Sequence, residues 1–321
     1  MIPITEVVKG IFKIGPLDTK NNGATPWTAP FLVVGDERAA ILEPGETGQA
    51  AELLRAIGGS EEGHLNMDLN RIAYLIPTHI HLHHIAGANR LLEKCPNAKV
   101  VVHQRGAPHL MEPTRLNEST LQVWGAESGC PQIDPIPEDR IIAAAGGEVL
   151  DLGGRELEII ETIGHAPHHQ CIFERRTKTL FTGDAAGAFF AGPGKERTRP
   201  DILPPLFDVD KAVDSLHRLR ALKAERILVF GYNGASYSPD KTLQWSEEDV
   251  RAIEDIVLNG MKQKLSSREI GQQINEYYRS QGLVRQEAAY GGRTETMAAS
   301  GPPFGMVAYL KRKYPDLEMP Q

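Results

Sequence analysis

The chain has 321 residues, enough for one large or two ordinary domains with a sizeable core. Hydrophobic residues at 41% and charged residues at 24% match a globular composition and exclude disordered and fibrous classes. The 35 Lys+Arg against 42 Asp+Glu leave a net charge of -7, which gives no electrostatic basis for nucleic-acid binding.

No apolar run approaches the roughly 18 residues needed to span a bilayer. Met1–Glu6 lacks the basic-then-apolar pattern of a secretory leader. Cys95, Cys130 and Cys171 are odd in number and widely spaced, unlike a disulfide framework or a zinc ribbon. The expectation is a cytoplasmic protein that acts on a small molecule and binds neither membrane nor nucleic acid.

In chain order, strand-type runs come first, at Gly10–Ile14, Phe31–Val34 and Ala39–Leu42, with Gly35-Asp36 as a hairpin turn. A helical stretch follows at Gln49–Ile57. Ile72–Ile76 is a continuous apolar run, typical of a strand covered on both faces, and leads into Pro77-Thr78. Helix Ala88–Glu93 precedes strand Lys99–Val102. Gly106–Gly146 reads as irregular, with a helix near Ser119–Trp124. Strands resume at Glu156–Ile160, Cys171–Phe173 and Thr179–Thr182, with Arg175–Lys178 as a solvated turn. Val209–Leu222 is an amphipathic helix with Val209, Val213, Leu216 and Leu219 on one face. Strand Ile227–Phe230 closes the α/β part. Beyond it, Ser246–Asp249 and Ser266–Glu269 resemble capping boxes that open helices. Tyr290–Pro302 reads as a loop and Phe304–Tyr314 as a last short helix. The expected division is 1–240 as an α/β domain and 241–321 as a helical extension.

Seven of the eleven histidines fall in two short stretches. Thr78-His79-Ile80-His81-Leu82-His83-His84 follows a buried strand. In extended chain, His79, His81 and His83 project to one side, and a turn would bring in His84 from the next helix. Neutral imidazole suits zinc, iron, nickel and copper. Gly164-His165-Ala166-Pro167-His168-His169 marks a sharp loop between strands. Leu180-Phe181-Thr182-Gly183-Asp184 ends a strand in an acid that could join or bridge metals.

In order and context, these stretches resemble the metallo-β-lactamase superfamily, and within it the glyoxalase-II-like hydrolase branch. The resemblance covers roughly residues 8–235. It implies an αββα sandwich with its site at one edge between two sheets. It also implies that His79, His81 and His165 hold a first metal, that Asp184 bridges, and that His83, His84 and Tyr232 surround a second position.

Two residues depart from the family's pattern. The motif aspartate is His83 here. The last histidine, expected after Ile227–Phe230, is replaced by Tyr232, with Tyr237 a lesser candidate. The usual Asp/His pair brings one negative charge, whereas His/Tyr brings one only if the tyrosine ionises. Unperturbed tyrosine titrates near ~10, so ionisation needs a strong cation close by, and ferric iron meets that demand better than zinc. Either Tyr232 is a phenolate ligand of a rebuilt second site, or that site is reduced and one metal remains.

The resemblance therefore implies one or two divalent or trivalent transition metals per chain, zinc or iron, with manganese also admissible. The primary expectation is a hydrolase of a small ester, thioester or lactone that uses a metal-activated water. Asp184 and His83 are its catalytic residues, with His83 either coordinating or acting as general base. The alternative is a non-haem iron redox or oxygen-binding protein on the same fold. The apolar segments Ala188–Ala191 and Ile202–Phe207 read as pocket walls, loop packing or a homodimer contact. His168 and His169 read as partners that orient ligands, and His64, His103, His109 and His217 as ordinary packing or surface residues.

Overall fold

The apolar runs become the central strands of two sheets. The computed structural model describes residues 3–15, 30–124, 132–192, 195–228, 235–282 and 295–318. They fall into two units, the first drawn from 3–161, 168–183 and 225–228 and the second from 162–167, 184–224 and the residues after 235.

In the first unit, β1 (Ile4–Val8), β2 (Ile11–Ile14), β3 (Phe31–Val34), β4 (Ala39–Leu42), β5 (Ile72–Ile76), β6 (Lys99–His103) and β7 (Ile141–Ala144) form one sheet in sequence order. Neighbours are antiparallel up to β4 and parallel from β4 to β7. Parallel neighbours need crossovers, supplied by α1 (Ala50–Gly58), by α2 (Leu82–Ile85) with α3 (Ala88–Lys94), and by α4 (Ala107–Met111) with α5 (Thr114–Trp124). Leu53 and Ile57 of α1 and Leu91 of α3 share one buried apolar cluster with Leu32, Ile41 and Leu75 of the sheet.

The second sheet runs antiparallel through β8 (Val149–Asp151), β9 (Glu156–Glu161), β10 (Gln170–Glu174) and β11 (Thr179–Phe181). The next strands, β12 (Ala188–Gly192) and β13 (Lys195–Arg199), form a hairpin in the second unit, and β14 (Arg226–Leu228) returns to lie parallel beside β11. The two sheets of the first unit face each other. Phe31 meets Phe181 edge-to-face at 5.4 Å between ring centres. Gln170 donates its side-chain amide to the carbonyls of Pro77 and Val101, each at 3.0 Å.

The second unit carries α6 (Val209–Ala221), α7 (Pro239–Lys262), α8 (Ser267–Ser280) and α9 (Glu295–Lys313). Val213, Ile253, Ile274 and Leu310 represent the four helices in its buried core, which also takes in Ile202 and Phe207. No helix among the described residues is long and apolar enough to cross a membrane.

Several expectations need correction. Ser246 opens no helix. It is buried inside α7, which begins at Pro239, and its hydroxyl donates to the carbonyl of Ala186 at 2.6 Å. The proline at the first helical position starts the helix upstream of the serine. The backbone of 295–302 is helical rather than loop, so α9 runs through Gly301, Pro302 and Pro303 against their propensities. The stretch 106–146 holds α4, α5 and β7 rather than one short helix. By contrast, the box at Ser266 and Glu269 caps α8 as read, each side chain accepting from the other residue's amide.

Candidate metal centre

β5 ends at Ile76, before Pro77, and the chain does not stay extended through the histidines: α2 begins at Leu82 and buries Leu82 and Ile85. His79 and His81 therefore lie on the loop, while His83 and His84 occupy the helix. His79 and His84 are fully buried, and His81 and His83 are half-buried.

Glu43 organises this loop. It follows the buried strand β4 with φ of +58°, a left-handed conformation uncommon outside glycine. Its carboxylate accepts the Thr78 hydroxyl at 2.7 Å, the Thr78 amide at 3.2 Å and Nδ1–H of His84 at 2.9 Å. Because the Thr78 hydroxyl donates to Glu43, its oxygen is left to accept from Nδ1 of His79, 3.2 Å away. Both histidines thus carry their proton on Nδ1, and Nε2 is the lone-pair nitrogen. Nε2 of His79 lies 2.7 Å from Nδ1 of His81, a spacing that needs a proton or a cation between the two nitrogens.

Around this core, the rings of His83 and His84 are 4.2 Å apart, and His169 stacks on His79 at 5.0 Å. His168 stands 6.0 Å from His81. Gly183 closes the first-unit group. Its φ is +47°, and a Cβ there would sit 2.2 Å from the Thr78 hydroxyl oxygen.

The second unit holds His165 and Asp184. Nδ1–H of His165 donates to the backbone carbonyl of Asp201 at 2.8 Å. A carbonyl can only accept, so the tautomer is fixed and Nε2 faces the Asp184 carboxylate at 3.5 Å. Helix α6 holds the loop that carries His165. The Asp208 amide donates to the Gly164 carbonyl at 3.0 Å, and the Ser215 hydroxyl donates to the Ile163 carbonyl at 2.8 Å. A Cβ on Gly164 would come within 2.5 Å of Cα of Ala212, so only glycine permits this approach.

This donor chemistry fits a transition-metal ion. His79, His84 and His165 each turn Nδ1 to an oxygen and so present Nε2 as the coordinating nitrogen, the arrangement in which histidine binds metal. Tyr232 lies outside the described residues, as do Cys130 and the residues of Ile227–Phe230 beyond Leu228. Ile202 and Phe207 turn into the core of the second unit, whereas Pro204, Pro205 and Leu206 of that segment are exposed. His103 and His217 are hydrogen-bonded to Glu161 and Glu247, at 3.0 and 2.9 Å.

Glu43 and Asp201 are not singled out in the sequence analysis, and Thr78 appears there only as part of the histidine motif. An acid after four consecutive buried strand residues, followed by Pro44-Gly45, was a usable sign for Glu43. Asp201 acts through its backbone, so its residue type carries no sign.

A family model described as the metallo-beta-lactamase superfamily matches residues 28–232. The chain belongs to the metallo-β-lactamase superfamily. The two mixed sheets with their helices are the fold that the resemblance implied, and helices follow the last strand as the capping patterns led one to expect. The chain is 32% identical over 198 residues to metallo-beta-lactamase fold-containing protein ST1585 of Sulfurisphaera tokodaii, across 60% of this chain and 71% of that one. It is 31% identical over 203 residues to hydroxyacylglutathione hydrolase GloC of Haemophilus influenzae, across 63% of this chain and 83% of that one. The solved structure of metallo-beta-lactamase family protein TTHA1429 from Thermus thermophilus aligns with a TM-score of 0.67 at 16% identity, covering 96% of this chain and 95% of that one. That likeness in fold extends through the C-terminal helices.

Proposed function

We infer that the protein is a metal-dependent hydrolase of a small ester, thioester or lactone. One observation carries the reading: Nδ1 of His79, His84 and His165 is committed to an oxygen in each case, so Nε2 is the ligand atom. By motif order, His79, His81 and His165 would hold one metal, Asp184 would be shared with a second position, and His83, His84 and Tyr232 would belong to that position. Similarity to a hydroxyacylglutathione hydrolase supports testing thioesters first.

When bound, the metal supplies a water with pKa lowered towards ~7 and polarises the scissile carbonyl. His83 stands where the family carries aspartate. As a half-buried imidazole it is suited to take a proton from the nucleophile near neutral pH. Zinc and iron are the metals to test first, because an imidazole-rich set with one carboxylate accepts both.

The test is hydrolysis of a hydroxyacylglutathione, a p-nitrophenyl ester and a lactone by metal-replete protein. At least one class should be cleaved, with activity lost on chelation and restored by zinc or iron. Iron-loaded protein that cleaves none of them but consumes oxygen would replace this reading with the redox alternative.

A further inference from the structure

Helix α9 lies far from the ligand motifs in sequence, yet it holds His165 from two sides within the second unit. On one side, Arg312 donates to the carbonyls of Pro205 and Phe207, the latter at 2.6 Å. The carbonyl of Phe207 and the amide of Asp208 belong to the same peptide group, and that amide donates to the Gly164 carbonyl at 3.0 Å. One peptide plane therefore connects the Arg312 guanidinium to the residue before His165. A charged donor on the carbonyl polarises the peptide and strengthens the bond made by its N–H. The segment that Arg312 grips also begins with Asp201, whose carbonyl fixes the tautomer of His165. Gly305 of α9 abuts this segment so closely that a Cβ would sit 2.6 Å from the Ile202 carbonyl oxygen.

On the other side, Tyr309 donates to Asp210 in the first turn of α6 at 2.9 Å, and Lys313 reaches the same carboxylate at 3.3 Å. Helix α6 is the element that Gly164 packs against and whose Ser215 holds Ile163. Both supports of the His165 loop thus end on one helical turn of α9.

We propose that Arg312 is a positioning residue for His165, through which the C-terminal helix sets the affinity of the metal ligand. The proposal rests on the reading of His165 as a ligand. Arg312 is exposed, so its replacement removes the grip without opening the core. Lys264, which pairs with Glu318 at 2.8 Å, anchors the same C-terminal tail without touching the Phe207 peptide and serves as the control.

The experiment compares full-length wild type with Arg312→Ala, Arg312→Lys and Lys264→Ala by two readouts. One is zinc affinity by chelator competition; the other is the tautomer of His165 in metal-free protein by long-range proton–nitrogen NMR. Arg312→Ala should weaken zinc by roughly 3- to 10-fold, less than the ~10–100-fold expected for losing a direct orienting partner. It should also broaden or split the His165 Nδ1–H resonance. Arg312→Lys should recover part of both effects, and Lys264→Ala should match wild type. Arg312→Ala with wild-type affinity and tautomer, or Lys264→Ala with an equal loss, would overturn the proposal. If wild type takes up no metal, the ligand reading fails, while the tautomer comparison still decides the positioning role.

Discussion

Glu43 and His84, 41 residues apart in sequence, meet at 2.9 Å with both side chains almost wholly buried. The same carboxylate takes both donors of Thr78, so one acid fixes the strand end, the loop and the first turn of α2. A carboxylate with three buried donors is stable because each donor would otherwise be stranded away from water.

Glu43→Ala should therefore cost about 3 kcal/mol of stability and weaken metal binding by roughly 10–100-fold. Glu43→Gln keeps one acceptor oxygen and should cost less on both scales. Denaturant unfolding and competitive zinc titration measure the two effects. An alanine variant with unchanged metal affinity would show that His84 and His79 need no such anchor.

Gly183 packs where a side chain would meet the Thr78 hydroxyl, at a backbone angle that disfavours any Cβ. Gly183→Ala combines strain with overlap and should destabilise by about 2 kcal/mol or more. Gly147 also has positive φ, but nothing lies within 4 Å of its added Cβ, so Gly147→Ala isolates the backbone part. Equal losses from the two variants in thermal melts would rule out the clash with Thr78.

Burial pushes the Tyr309 hydroxyl up to about 12, with its bond to Asp210 in the same direction and Lys313 opposing. Contact with Tyr309, above all, raises the Lys313 ammonium. Both folded values lie above the unfolded ones near ~10, so their stabilisation is whole below that pH and fades as pH rises through the folded values. Melting temperature should fall between about pH 10 and 12, and Tyr309→Phe should make the fall shallower. Circular dichroism melts across that window check this, and a slope unchanged in Tyr309→Phe would contradict it.

His83 removes a negative charge that the family's aspartate would supply. His83→Asp should restore it and raise the number of metals retained after gel filtration towards two per chain, with affinity at the second position up by roughly tenfold or more. Plasma mass spectrometry reads the outcome. Unchanged stoichiometry would place the limit on the second metal elsewhere than at residue 83.

Legibility in the sequence followed the physics of each element. β5 and β6 announce themselves as unbroken apolar runs because both faces are covered, and α6 shows its buried stripe at helical spacing. β8 spans three residues and α2 four, too few for any periodicity to register. β1 lies at a sheet edge with Thr5 and Glu6 exposed, and these two residues break its apolar run. Ser246 misled because serine favours both a helix start and a buried bond to a distant carbonyl, and only the fold distinguishes the two. The histidine clusters and Asp184 stand out in the sequence as candidates because metal chemistry restricts residue type. The groups that aim the histidines do not, since a backbone carbonyl such as that of Asp201 can belong to any residue.

The most direct measurement is metal content by plasma mass spectrometry on untagged full-length protein, paired with thioester hydrolysis before and after chelation. One or two zinc or iron ions per chain, with hydrolysis that disappears on chelation and returns with metal, is the predicted result. Hydrolysis that survives complete removal of metal, or fully loaded protein that cleaves no ester, thioester or lactone, would contradict it.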